Sequence, residues 1–171
     1  DILVHIDNSA PCAQRLSVAL KVAKAQKAHL TGLFLLPYAE IPRFMEVQIS
    51  QEIVNQQRAA MAETAKEAKR DFAKACEDAG VTFSWQETPC SAAEIADTVA
   101  MYARHHDLTV LGQYDPDSAD PSSTSEMPDK AILTAGTPVL VVPYAGRFET
   151  IGERVMVAWK PYREAVRAVN D

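Results

Sequence analysis

The chain has 171 residues, 47% apolar and 23% charged, with 17 Lys and Arg against 23 Asp and Glu for a net charge of −6. That is enough chain to bury one domain's core, or one domain and a fragment of another. An acidic balance without a basic cluster argues against nucleic acid as a partner, and no apolar run approaches the 18 residues of a membrane span. Cys12, Cys76 and Cys90 are odd in number and lack CxxC spacing, so neither a disulfide framework nor a zinc knuckle is expected. The expectation is a soluble, cytoplasmic protein with no membrane association. Asp1 already stands in an apolar run without Met or signal peptide, so residues of the natural chain are expected to precede it.

Ile2–Ile6 is a short apolar run closed by Asp7-Asn8-Ser9, which reads as a buried strand and a turn. Pro11 suits a first helical turn, with Asn8 or Ser9 as cap, and Leu16, Ala19, Leu20 and Ala23 give the helical stripe to about Gln26. The second run, His29 to Leu36, stops at Pro37, and 38–49 is irregular. Residues 50–79 are rich in helix formers, with Met61, Ala62, Ala65, Ala68 and Phe72 as the expected core stripe, and Gly80 ends them. Val81 to Thr88 alternates Val81, Phe83 and Trp85 with polar residues, the pattern of a strand at a sheet edge.

Pro89-Cys90 reads as a turn, and Ser91 to Glu94 as a capping box opening a helix with Ile95, Val99 and Tyr102 on one stripe. Asp107–Gly112 is the fourth strand. A short helix over 129–134 and the run Pro138–Pro143 complete the series. Five apolar strands alternating with helices predict an α/β fold, a Rossmann-like, doubly wound parallel sheet of five strands in the order 3-2-1-4-5. The ends of strands 1 and 4, near Asp7 and Gly112, then flank the crevice where a ligand would sit.

Residues 144–153 read as a polar linker, and 154–165 laid on 1–12 repeat an apolar strand, a polar turn and a helical start. Only Val157 on Val4 is identical, but the order recurs at about one domain's length. Residues 1–143 are therefore expected to be one domain, and 154–171 the start of a second, truncated copy, which cannot bury itself.

The six glycines form no GxG or GxxG, which excludes a dinucleotide fingerprint and a P-loop. His105 and His106 lack a metal pair's i, i+4 spacing and suit a helix C-terminus, while His5 and His29 read as structural. Cys90, just before a helix start, is the one thiol whose surroundings could depress its pKa, but no histidine is brought to it by the sequence. No catalytic or metal-binding constellation emerges. The Ser-, Asp- and Pro-rich stretch 115–126 reads as a solvated connection, with a phosphorylation target or partner-binding strip as alternatives.

ILVHIDNS at 2–9, HHDLTVLG at 105–112 and GTPVLVVP at 136–143 together resemble the universal stress protein family, in its order and spacing over residues 1–143. The stub resembles the start of a second repeat in tandem members. The resemblance implies a five-stranded parallel sheet, association through the last strand, stress-related roles and, in one branch, ATP or AMP binding. That branch carries G-x-x-G-(nine residues)-G-S/T after strand 4, whose small residues let backbone N–H groups reach phosphates. Here Gly112 matches the first glycine, but Asp115, Ser125 and Glu126 stand at the next three positions. Asp115, Asp117, Asp120 and Glu126 bring four acidic groups and no basic one. A carboxylate 4–8 Å from a phosphate costs on the order of 0.5–1 kcal/mol even at a water-like dielectric.

The favoured expectation is a non-catalytic stress-response or interaction module that self-associates, or pairs with a second such domain, through Val139–Val142, with no cofactor in this half. The alternative is a nucleotide or small-ligand module whose pocket uses Asp7, Leu35, Leu111 and Gly112. In nucleotide-binding relatives the aspartate matching Asp7 contacts adenine, whereas the residues alone equally allow Asp7 to hold the turn. An enzyme on the same fold comes last, for want of a nucleophile–base pair.

Overall fold

The computed structural model describes residues 1–38, 51–117 and 120–170. Its elements run β1 (Ile2–Ile6), α1 (Cys12–Gln26), β2 (Leu30–Tyr38), α2 (Gln51–Ala79), β3 (Phe83–Ser91), a 3-10 turn (Ala92–Glu94), α3 (Ile95–Ala103), β4 (Leu108–Gly112), α4 (Met127–Thr134), β5 (Val139–Val142) and α5 (Arg163–Asn170). The five strands form one parallel sheet in the order β3-β2-β1-β4-β5. All five residues of β1 are buried, as a central strand covered on both faces requires.

Period-2 alternation splits the sheet's apolar residues between two layers. Ile2, Val4, Ile6, Phe34 and Val110 pack with Val18 and Ala19 of α1 and Phe72 of α2, whereas Leu3, Leu33, Leu35 and Leu111 pack with Ile95 and Val99 of α3 and Ala131 of α4. At Gly32 in β2 the Phe72 and Trp85 rings close on the strand, and a Cβ there would stand 2.9 Å from each. The α2 stripe is buried at Ala65 and Phe72 and half-buried at Met61 and Ala68, while Ala62 is exposed.

Two sequence expectations are corrected. Pro89-Cys90 is not a turn, because β3 runs on to Ser91, with Pro89 opposite Leu36 and Cys90 opposite Pro37. An edge strand pairs on one side only, so it tolerates a residue without an N–H. Residues 154–159 form no strand: Val155, Met156 and Val157 are exposed and have no ladder partner, although the helix expected after them forms as α5. The stretch read as a polar linker also docks in part. Phe148 packs against the α1 and α2 layer, and Lys21 Nζ donates to the carbonyls of Phe148 (2.6 Å) and Glu149 (3.1 Å). Among the described residues no helix is long and apolar enough to cross a membrane.

Candidate functional site

In a doubly wound sheet the crevice opens where strand order reverses, here between the exits of β1 and β4. Asp7 follows β1 directly, and Gly112 ends β4, so the topology brings these two sequence-predicted residues together. Between them lies a residue the sequence reading passed over. Arg15, in the first turn of α1, is 2% exposed and fills the space beside Gly112, where a Cβ would collide with its guanidinium. An arginine is almost never buried to this degree unless paired, and this one is paired. Its Nη2 lies 2.8 Å from Asp7 Oδ2, and its Nε donates to the His5 carbonyl at 2.7 Å.

Asp7 is held from its other side as well. Its Oδ1 accepts from the backbone N–H (3.0 Å) and the hydroxyl (2.5 Å) of Ser9, closing the turn into α1. Its own N–H points to Cys12 Sγ at 3.5 Å. Burial would raise the Asp7 carboxyl's pKa, but Arg15, His5 and the Ser9 hydrogen bonds outweigh it and hold the pKa below the ordinary value. Burial likewise works against the Arg15 charge, and Asp7 more than compensates. His5 sits behind the pair with Nδ1 3.6 Å from Asp7 Oδ2, and its burial drops its pKa to about 4, so the ring is neutral at pH 7.

The loop after β4 reaches back over this pair's edge. Asp120 Oδ2 accepts from the Asn8 N–H at 2.6 Å, and Asp120 Oδ1 accepts from the Ser122 N–H (2.8 Å) and hydroxyl (2.6 Å), with Ser122 itself buried. A cavity of about 460 Å³ beside this contact is lined by Asn8, Ser9, Ala10, Asp115, Asp117 and Asp120, with Pro121 at its edge. A larger cleft of about 680 Å³ runs between α1 and α2, with Leu16, Leu20, Ala68 and Phe72 on its walls and Asp7 at one end. Leu35 and Leu111, the other two predicted site residues, are buried in the layer under α3 and α4 and line neither space.

The remaining candidates fall into structural places. His106 Nδ1 lies 2.9 Å from the Tyr102 carbonyl in the last turn of α3, and His29 bridges Thr82 Oγ1 (3.1 Å) and Ser84 Oγ (2.7 Å) of the neighbouring segment. Cys90 is buried in β3. Burial, followed by the Glu94 charge, raises its thiol pKa instead of depressing it. Burial also pushes the Cys76 thiol up to about 11. Glu94 accepts from the Ser91 N–H (3.4 Å) and hydroxyl (2.9 Å), the reaching-back half of the predicted capping box. Among the described residues no three His, Cys, Asp or Glu side chains are grouped to hold a metal ion.

The strand order, the crevice and the two-layer core define the class: a doubly wound α/β domain with a five-stranded parallel sheet. Among solved structures its likeness is to the universal stress proteins. Universal stress protein UspA from Lactobacillus plantarum aligns with 82% of this chain and 95% of its own, at 19% identity and a TM-score of 0.58. A member of that family from Burkholderia pseudomallei aligns with 83% and 94%, at 19% identity and a TM-score of 0.57. The Archaeoglobus fulgidus protein, solved in complex with dAMP, aligns with 82% and 94%, at 17% identity and a TM-score of 0.54. No family model and no curated protein matches the sequence. The chain therefore has the universal stress protein fold.

Proposed function

We propose that this is a universal-stress-type domain, non-catalytic and acting in the cytoplasm, whose ligand crevice is filled by its own side chains and which works as an interaction module. The observation that carries this reading is the buried Arg15 guanidinium seated between Asp7 and Gly112. A site for a nucleotide's phosphates needs unspent positive charge and free backbone N–H groups. Here the arginine's charge is committed to Asp7, the Asn8 N–H to Asp120, and the adjoining cavity wall brings Asp115 and Asp117. These residues do not fit a phosphate group.

The surface for association would be the open edge at β5. Val139, Leu140 and Val141 are only half-buried there, and the preceding helix leaves Ile132 and Leu133 exposed. An unpaired apolar edge is a template for another strand. On this reading residues 154–171 open a second copy of the domain, since Val155, Met156, Trp159 and Tyr162 are exposed together in a form only a further layer would bury.

A second reading, an adenine-nucleotide-binding module, is favoured by one observation: structures of this fold have been solved in complex with cAMP and with dAMP. Thermal unfolding with and without ATP–Mg, AMP and cAMP separates the two. Nucleotide at 100 times its dissociation constant would add about 2.7 kcal/mol, several degrees for a domain of this size. We expect no shift at millimolar nucleotide, and a saturable rise would sink the first reading. For the association, Val141→Lys should lower the mass of the assembly in solution, and an unaltered mass would count against the β5 edge.

A further inference from the structure

The cleft of about 680 Å³ between α1 and α2 has apolar walls and rims of opposite charge. Lys21 and Lys24 stand on the α1 side, and Glu67 and Asp71, one helical turn apart, on the α2 side. The α2 wall offers Ala68 and Ala75, small enough for a further helix to approach closely. Elsewhere on the chain α5 carries the complementary pattern. Tyr162, Val166 and Val169 have the i, i+4, i+7 spacing of a helix that lies in a groove, and all three are exposed. The Val166 N–H donates to the Tyr162 carbonyl, so Tyr162 belongs to the same helical turn. Arg163 and Arg167, also exposed, follow one flank of this face, again one turn apart. Residues 154–171 hold four Lys and Arg against two Asp and Glu, a basic stretch in a chain of net charge −6. At the offset of 153 the three apolar residues stand on Ser9, Ala13 and Leu16, which all line the cleft. A second domain on this plan would therefore carry them on its cleft side and not against its own sheet.

We propose that the α1–α2 cleft is the docking groove for α5 of a second copy of this chain, with Tyr162, Val166 and Val169 in the groove and Arg163 and Arg167 against Glu67 and Asp71. The matched spacing sets the alignment, because two cations one turn apart meet two anions one turn apart. Turning the helix over sets the arginines against Lys21 and Lys24, a like-charge contact that rejects the reversed pose. The occupant is another copy because in a single chain the cleft is open while the α5 face is exposed, so α5 does not reach the groove beside it. An eight-residue helix alone covers less than the roughly 800 Å² per partner of a standard interface. Two copies exchanging α5 about a two-fold axis make the contact twice. The groove lies away from β5, so this contact goes beyond the association proposed for that edge and does not depend on it.

The test is sedimentation equilibrium of the full chain, as wild type and with the charges reversed on the rim or on the helix. Glu67→Arg with Asp71→Arg should weaken self-association about tenfold, and Arg163→Glu with Arg167→Glu by as much. Combining all four changes restores opposite charges and should bring the affinity back to within about threefold of wild type. All four side chains are exposed, so the reversals should leave the fold intact. Should a reversal not fold, Glu67→Gln with Asp71→Asn replaces it, and an affinity equal to wild type overturns the proposal. A wild-type chain that stays monomeric overturns it, and so do reversals without effect or a quadruple variant no tighter than either pair. A monomer whose α5 amides resist hydrogen exchange until the charges are reversed places α5 in its own chain's cleft, which also overturns it. The β5 edge is tested separately, because Val141→Lys leaves the rim and α5 untouched. Association that Val141→Lys abolishes and the four charges do not affect keeps the edge and sinks the groove, and the converse result does the reverse.

Discussion

Residues 1–26 and residues 154–170 follow one plan, an apolar run, a polar turn and a helix, at an offset of 153. In the first the run is β1, paired on both sides and wholly buried, and the helix α1 lies on the sheet. In the second the run has no ladder, and its apolar side chains face solvent. The difference shows that a strand is a property of its neighbours. An apolar pentapeptide cannot satisfy its backbone alone, whereas a helix closes its own hydrogen bonds, which is why α5 forms and a strand over 154–159 does not. The two stretches differ in charge as well. Asp7 and Arg15 are met at the offset by Lys160 and Ala168, so the pair that locks the first turn has no equivalent in the second.

Breaking that pair should give the largest effect. Arg15→Met leaves the Asp7 carboxylate, whose side chain is fully buried, without its counter-charge, and losing one partner of a buried ion pair costs about 3–5 kcal/mol. Urea unfolding should show this loss, and Asp7→Asn added to Arg15→Met should recover much of it. A single-variant cost below about 1 kcal/mol would mean that the pair does not hold the turn.

The next effect is one of pH. His5 has an ordinary pKa of 6.5 when unfolded and about 4 when folded, so between those values the unfolded chain binds a proton that the folded chain refuses. Stability is then undiminished above pH 6.5 and falls toward pH 4, by on the order of 3 kcal/mol. Asp7, held below its usual range, adds a further loss under pH 4 as its carboxyl takes up a proton. Urea midpoints at successive pH values check both, and His5→Leu should flatten the upper limb. Residues 154–170 contain no histidine and contribute nothing to this limb.

The strand order, both edges and the crevice between β1 and β4 were legible because buried strands announce themselves as apolar runs and crossover handedness leaves few orders. Arg15 was not read, though a signal existed. Positions 15, 19 and 23 lie on one helical stripe, and Ala19 and Ala23 are core, so the arginine had to enter the sheet's end or distort the helix. The signal is masked because arginine is almost never fully buried unless paired, and its partner Asp7 lies in another element. The Asp120 contact with Asn8 had no local signal, since it joins two loops that only the folded sheet brings together. At Pro89-Cys90 the sequence pointed the wrong way, because proline marks turns in general and an edge strand is the place where it does not. Leu35 and Leu111, expected to line the alternative pocket, stand at pleat positions that face the core layer under α3 and α4.

Val4 and Val157, the one identical pair, allow the same substitution in both settings. Val4 is fully buried in β1, so Val4→Ala should cost about 2–3 kcal/mol. Val157 is 60% exposed, so Val157→Ala should stay within about 0.5 kcal/mol. Thermal unfolding of the two variants checks this, and equal costs would mean that 154–159 is packed in solution.

The smallest effect should come from the largest change. Among the described residues, 154–171 contribute no side chain to either core layer, while Phe148 and the Lys21 contacts to residues 148 and 149 stay in place when that segment is deleted. The shortened chain should therefore unfold within about 0.5 kcal/mol of the full one. It should also be less prone to associate, because Val155, Met156, Trp159 and Tyr162 leave with the deleted segment. Cutting instead after residue 147 takes Phe148 from its place against the α1 and α2 layer and should cost about 1 kcal/mol more, set by that half-buried ring. If the longer deletion and the shorter one cost the same, the boundary of the first domain lies where the sheet ends. If only the cut at 147 costs, the segment that follows β5 belongs to the domain it was read as leaving.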